Sequence, residues 1–116
     1  MLLIRNEQIE TLSEHLLRGF EERMIIHLRS KFPDQVQPMK KDDLLKFIRY
    51  GLKQAQQYGI EIEWDICRYV ECMVRYGPFF DMADDFTWAA AILNDHGLSG
   101  TIKMDKIDDY EDANLK

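Results

Sequence analysis

The sequence has little of what marks the common catalytic and metal-binding classes. Its 116 residues include two cysteines and three histidines, and none of them falls in a Cys-x-x-Cys, His-Glu-x-x-His or Gly-x-Ser-x-Gly motif. His15 and His27 are twelve residues apart and His96 is far downstream, so a zinc site would have to be assembled from remote elements. We therefore predict no catalytic residue, no metal site and no cofactor.

A disulfide is not expected either. Cys67 and Cys72 lie five residues apart within one predicted helix, which turns their side chains about 140° away from each other. Two cysteines without a close motif are typical of reduced structural thiols. Their neighbours are Asp65, Glu71 and apolar residues, which do not favour a thiolate nucleophile.

Long apolar runs are missing as well. No stretch approaches the roughly 18 residues that a membrane-spanning helix needs. The first ten residues, MLLIRNEQIE, hold too few consecutive apolar side chains for a secretion signal. We predict a cytoplasmic protein with no membrane contact.

Positive charge is not in excess anywhere. Residues 1–80 hold twelve acidic and twelve basic residues, whereas residues 81–116 hold nine acidic and three basic ones, so the last third carries the whole net charge of −6. Nucleic acid binding needs a clustered positive surface, and we exclude it as a ligand. The acidic third either keeps the protein soluble or docks onto a basic partner.

Apolar residues at helical spacing are what the sequence has in quantity, at 46% hydrophobic composition. The spacing predicts a long amphipathic helix over residues 7–32 with Asn6 as its N-cap, a loop over 33–41, a second helix over 42–58 and a third from Glu63 to the Gly77-Pro78 stop. The third helix is apolar around more than half of its circumference, which places it in the centre of a bundle. Gly51 in the second helix suggests either a close helix crossing or a glycine that the helix merely tolerates.

The last third is weaker in pattern. A short helix is expected near residues 87–94, capped by Asp84 or Asp85, and residues 101–110 form either a marginal last helix or a tail that orders on a partner. The length suits one domain. We predict the all-α class: a compact bundle of four to five helices over residues 1–110, followed by an acidic tail over 111–116.

The densest aromatic and acidic stretch follows the third helix. Exposed aromatic and methionine side chains are favoured interface anchors, and the stretch also has the composition to fold back and cap the end of the bundle. The acidic cluster lacks the ligand spacing of a calcium loop. The predicted partner-binding residues are Phe79, Phe80, Asp81, Met82, Asp84, Asp85, Phe86 and Trp88. The broad apolar surface of the third helix leaves a homodimer open.

Four segments carry a family resemblance: FEERMIIHLRSKFP, IRYGLKQAQQYGIEIEWDICRYVECMVRYGPFFD, WAAAILND and LSGTIKMDKI. The chain resembles a group of small bacterial helical proteins encoded beside type VI secretion effectors and their adaptor chaperones. The resemblance implies a non-catalytic accessory or co-chaperone whose partner is the effector or its adaptor. It carries no catalytic residue over to this chain.

Two functions from different classes follow. The first is a protein-binding accessory that assists loading or stabilisation of an effector or adaptor. The alternative is an immunity protein that neutralises a cognate toxin, for which an acidic surface would complement a basic nuclease. The absence of catalytic motifs disfavours a third class, a small enzyme.

Overall fold

The computed structural model of the chain describes residues 14–115. This range holds six α-helices: α1 (Glu14–Lys31), α2 (Pro33–Val36), α3 (Lys41–Gln57), α4 (Glu63–Tyr76), α5 (Thr87–Leu93) and α6 (Gly100–Asn114). Two 3-10 turns, Phe80–Met82 and Asp84–Phe86, connect α4 to α5. The predicted all-α bundle is confirmed.

The helix bounds follow the apolar periodicity closely in the middle of the chain. α3 and α4 begin and end within about one residue of the predicted bounds. α1 matches the described part of the predicted long helix, and residues 7–13 with the Asn6 cap lie outside the described residues. α2 is a single turn in the predicted loop, with Pro33 at its first position, where a missing N–H costs nothing.

The core lies between α4 and the helices around it. Its fully buried members include Phe20, Met24 and Leu28 of α1, Leu44 and Ile48 of α3, Ile66 and Val70 of α4, and Met104 and Ile107 of α6. A Cβ atom added to Gly51 would lie 2.7 Å from Met73 Sδ and 2.8 Å from Val70 Cγ2. A larger residue would force Met73 and Val70 to shift, so the close crossing of α3 and α4, one of the two interpretations of Gly51, is confirmed.

α6 is longer than the sequence pattern indicates. Its N-cap is Ser99, whose hydroxyl accepts a hydrogen bond from the Ile102 N–H at 3.2 Å. A Cβ on Gly100 would lie 2.4 Å from the Gly59 carbonyl oxygen, so the helix start touches backbone after α3. The helix continues to Asn114, and the boundary predicted at residue 110 falls inside it.

The predicted cap of α5 is wrong. The N-cap residue is Phe86, and no side chain there makes a capping hydrogen bond. Asp84 and Asp85 lie in the 3-10 turn that leads directly into α5. Since a cap must be the last residue before the helix, both carboxylates come too early and are exposed. Among the described helices, none is long and apolar enough to cross a bilayer.

Candidate functional site

The predicted partner-binding residues divide between the core and the surface. Phe80 and Asp81 are almost completely buried, whereas Phe79 is 58% and Met82 is 67% exposed. Gly77, at φ 101°, turns the chain out of α4 just before this segment. The loop therefore points neighbouring side chains in opposite directions.

Phe80 and Asp81 serve the fold. The Phe80 ring packs against the ring of Tyr69 with centroids 5.2 Å apart. The Tyr58 hydroxyl donates a 2.6 Å hydrogen bond to Asp81 Oδ2. Burial and then this carboxylate raise the pKa of the Tyr58 phenol, so the hydroxyl keeps its proton and the bond links the end of α3 to the loop.

Phe86 and Trp88 are half-buried against other rings. Phe86 lies on Tyr76, with ring centroids 4.9 Å apart. Trp88 stacks on Tyr110 of α6 at 4.2 Å with an interplanar angle of 9°. These contacts join α5 and the turn before it to α4 and α6.

Phe79 and Met82 remain on the surface, and Pro78, which precedes Phe79, lines an apolar groove. Tyr50 of α3 meets the Phe79 ring edge-on, with centroids 5.6 Å apart. The groove measures about 200 Å³ and is lined by Gln35, Val36, Met39, Phe47, Met73, Val74, Gly77 and Pro78. We call Phe47, Tyr50, Pro78, Phe79 and Met82 the Phe79 patch.

A second candidate site lies between α4 and α1. Glu63 and Glu71 are buried on one side of α4. Arg23 donates a 2.6 Å hydrogen bond to Glu63, and His27 Nε2 lies 2.5 Å from Glu71 Oε2. Lys31 reaches both oxygens of Glu71 at 3.2 Å. Each buried carboxylate therefore has a cationic or polar partner from α1.

The buried charges continue toward α6. Asp65 is only 3% exposed, and it accepts hydrogen bonds from Arg68 at 2.6 Å and from the Thr101 hydroxyl. Arg68 also reaches Asp105 at 2.9 Å and Asp108 at 2.8 Å. Burial alone would lower the pKa of Arg68, but the hydrogen bonds to these carboxylates outweigh it and raise that pKa. The guanidinium stays charged and joins two helices.

Glu111 completes this set of contacts. It is buried near the end of α6 and pairs with Arg75 at 2.9 Å. The Tyr76 hydroxyl donates to the same carboxylate, and burial together with that hydrogen bond raises the pKa of Tyr76 to about 12. We call the buried ionic contacts of α4 the charged seam; its members are Arg23, His27, Lys31, Glu63, Asp65, Arg68, Glu71, Arg75 and Glu111.

A groove of about 560 Å³ opens along the charged seam. Its lining residues are Lys31, Phe32, Trp64, Arg68, Glu71, Arg75, Tyr76, Asp108, Glu111, Asp112 and Leu115. Trp64 and Leu115 are exposed. Glu71, although only 6% exposed, is one of the residues that line the groove.

Cys67 lies within the charged seam, one helical turn from Glu63 and one from Glu71. Its sulfur is 3.9 Å from Glu71 Oε2. Burial, followed by the Glu71 charge, raises the pKa of the thiol, which makes it a poor nucleophile. Cys67 and Cys72 are both free and buried.

Sequence reasoning missed the charged seam, although a signal was present. Acidic and thiol side chains recur every four residues on α4, and basic side chains recur every four residues on α1. The two rows are Glu63, Cys67, Glu71 and Arg23, His27, Lys31. Residues four apart share a helix face, so complementary rows on two helices indicate a paired interface.

Comparison with protein-family models, with curated proteins and with solved structures finds no match for this chain. The candidate sites therefore rest on the geometry and chemistry of the residues themselves.

Proposed function

We propose that this chain is a non-catalytic protein-binding accessory, which assists the loading or stabilisation of a type VI secretion effector or its adaptor. The observation that carries the binding role is the exposure of Phe79 and Met82, at 58% and 67%, on a loop whose neighbouring residues are buried. Aromatic and methionine side chains in such positions are common anchors of protein interfaces.

The fold does not need Phe79 or Met82 for its core. Phe80 already fills the space against Tyr69, and Asp81 ties the loop to Tyr58. These buried contacts hold the backbone of the loop in place. A fixed loop presents its exposed side chains with little loss of conformational entropy on binding, which favours affinity.

The charge next to the Phe79 patch suggests the character of the partner surface. Asp84 and Asp85 follow Met82 and are exposed. Acidic residues beside an apolar centre match a partner with an apolar pocket and a basic border. Such charges speed association more than they raise affinity.

The type VI secretion setting is supported by the resemblance of the helical segments to small accessory proteins encoded beside effectors and adaptors. In that setting the partner is a protein encoded nearby. The Phe79 patch is the surface that we assign to it.

The test is co-expression of the full chain with the products of its flanking genes, followed by affinity capture. The wild-type chain should recover one of these products. Phe79→Asp and Met82→Asp should each weaken that recovery at least tenfold, because a charge replaces an apolar anchor. Ile26→Asp is the matched control: Ile26 on α1 is 63% exposed and lies outside the Phe79 patch.

Recovery of no partner by the wild-type chain would contradict the binding role. If Phe79→Asp and Met82→Asp capture the partner as well as the wild-type chain does, the interface lies outside the Phe79 patch. Circular dichroism of each variant separates lost binding from lost folding.

An immunity protein is the second candidate, favoured by the concentration of acidic residues in the last third of the chain. Asp95 and Asp109 are exposed there together with Asp84 and Asp85, and such a surface complements a basic toxin. Growth of cells that express the captured partner decides between the two. A partner that kills alone and is harmless with this chain supports immunity, whereas a harmless partner supports the accessory role.

A further inference from the structure

We propose that His27, Cys67 and Glu71 form a zinc-binding site between α1 and α4. One ligand atom from each residue lies within 4.8 Å of the other two. Cys67 and Glu71 are four residues apart, so they project from one face of α4, and His27 faces them from α1. The site therefore joins two helices through residues that are 40 or more positions apart in the chain.

The ligand atoms must move to hold the ion. His27 Nε2 is 2.5 Å from Glu71 Oε2, and Cys67 Sγ is 3.9 Å from the same oxygen. In a tetrahedral site with zinc bonds of about 2.0–2.3 Å, neighbouring ligand atoms are about 3.3–3.7 Å apart. The nitrogen and oxygen must separate by about 1 Å, and the sulfur must approach the Glu71 oxygen by less. The Cys67 sulfur lies within 4.8 Å of the His27 nitrogen.

The chemical types of the three ligand atoms indicate which metal the site would bind. A thiolate, an imidazole and a carboxylate are ligands that zinc accepts together, whereas Mg²⁺ and Ca²⁺ prefer oxygen alone. On binding, the Cys67 S–H bond is replaced by a sulfur–zinc bond and the proton is released to solvent. The His27 Nε2–H that now faces Glu71 is replaced by a nitrogen–zinc bond, and the neutral imidazole then carries its proton on Nδ1. The thiolate and the Glu71 carboxylate then balance the two positive charges of the ion.

Glu63 adds negative charge one turn from the site, and in the described part of the chain only its Oε1 is paired, with Arg23 at 2.6 Å. Among residues 14–115, Glu63 Oε2 is buried and has no hydrogen-bond partner. Glu63 lies one turn before Cys67 on the same face of α4. A buried carboxylate oxygen without a donor is costly, and a divalent cation one turn away lowers that cost.

Access to the site runs through the groove along the charged seam. Glu71 lines this groove, as does Lys31. The Lys31 side chain is half exposed, so its ammonium can leave Glu71 for solvent when the ion arrives. Three protein ligands leave a fourth position for water, the arrangement of an open zinc site.

The experiment uses the purified, reduced, metal-free full chain and Co²⁺ as the probe. Cobalt bound to a thiolate gives a charge-transfer absorption band in the near ultraviolet, and Zn²⁺ should then displace it. The wild-type chain should develop this band with one Co²⁺ per chain. Cys67→Ser should abolish the band, and His27→Ala should weaken Co²⁺ binding at least tenfold.

Two controls match the ligands in kind. Cys72→Ser removes the other buried thiol of α4 and should keep the band, and His15→Ala removes another histidine of α1 and should keep the affinity. Absence of the band in the wild-type chain overturns the proposal, as does a band that survives Cys67→Ser. If Cys67→Ser does not fold, the wild-type titration and His27→Ala decide. The outcome does not depend on partner binding through the Phe79 patch.

Discussion

The two sides of α4 pack by different means. Toward α3, Val70 and Met73 lie against Gly51, and the contact is apolar and close. Toward α1 and α6, the same helix presents the charged seam, whose carboxylates are buried but paired. Apolar burial is non-directional, whereas charge-assisted hydrogen bonds depend on geometry. The apolar side therefore supplies packing, and the charged side constrains how α1 and α6 align with α4.

Removing one side chain of the charged seam should lower the stability of the protein more than removing one exposed ion pair. Arg68→Ala leaves Asp65 buried without its cationic partner, and we expect the free energy of unfolding to fall by about 3 kcal/mol. Urea denaturation followed by circular dichroism measures it. Lys41→Ala is the control, since the Lys41–Glu22 pair is more than half exposed on both residues and should contribute less than about 1 kcal/mol. Equal effects of the two variants would show that burial adds nothing to the seam.

The apolar side should respond to added volume. Gly51→Ala places a methyl group against Met73 and Val70, and we expect a loss of about 2 kcal/mol. Gly19→Ala is the matched change within α1, where the methyl would meet only the flexible end of Arg23 at 3.2 Å. Because alanine favours helix over glycine, that variant should gain up to about 1 kcal/mol. Thermal unfolding of both proteins gives the two signs, and a stabilised Gly51→Ala variant would contradict the close crossing.

The smallest expected effect is on alkaline stability. The pKa of Tyr76 is raised to about 12, and burial raises the pKa values of Tyr58 and Tyr69 as well. A tyrosine phenol has an ordinary pKa of about 10. When the folded state raises this pKa, the phenol's contribution to stability is fully present below about pH 10 and is lost as the pH rises through the pKa of the folded state. Tyr76→Phe should flatten the fall in unfolding free energy between about pH 10 and pH 12.

Ultraviolet titration of the five tyrosines checks this directly. Folded protein should show late ionisation of Tyr58, Tyr69 and Tyr76, and urea should restore ordinary titration. A single step near pH 10 in the folded protein would contradict the buried phenol contacts.

The sequence predicted the parts of the fold that depend on local pattern. α3 and α4 follow apolar periodicity, and Gly77 with Pro78 ends α4 where expected. α6 was underestimated because two of its polar residues are buried. Lys103 donates a 2.8 Å hydrogen bond to the Tyr58 carbonyl, and Glu111 pairs with Arg75. These partners lie 36 or more residues away in the chain, so local pattern does not reveal them.

The candidate sites also depend on long-range contacts that local sequence pattern does not reveal. The aromatic composition of residues 79–88 indicated a candidate binding loop. The order of its residues did not show that Phe80 is buried and Phe79 is exposed. The position of Gly77 and the packing of Tyr69 decide which ring turns inward. The cluster of His27, Cys67 and Glu71 was missed because a search for close ligand motifs does not compare two helices.

A double-mutant cycle on Arg23 and Glu63 tests whether the charged seam couples α1 to α4. The pair is 2.6 Å apart, and the Glu63 side chain is only 5% exposed. Unfolding free energies of Arg23→Ala, Glu63→Ala and the double variant give the interaction energy. We predict a coupling of at least about 1 kcal/mol, as for residues within one buried network. A coupling below about 0.3 kcal/mol would place this pair with exposed surface ion pairs and contradict the role of the seam in aligning the two helices.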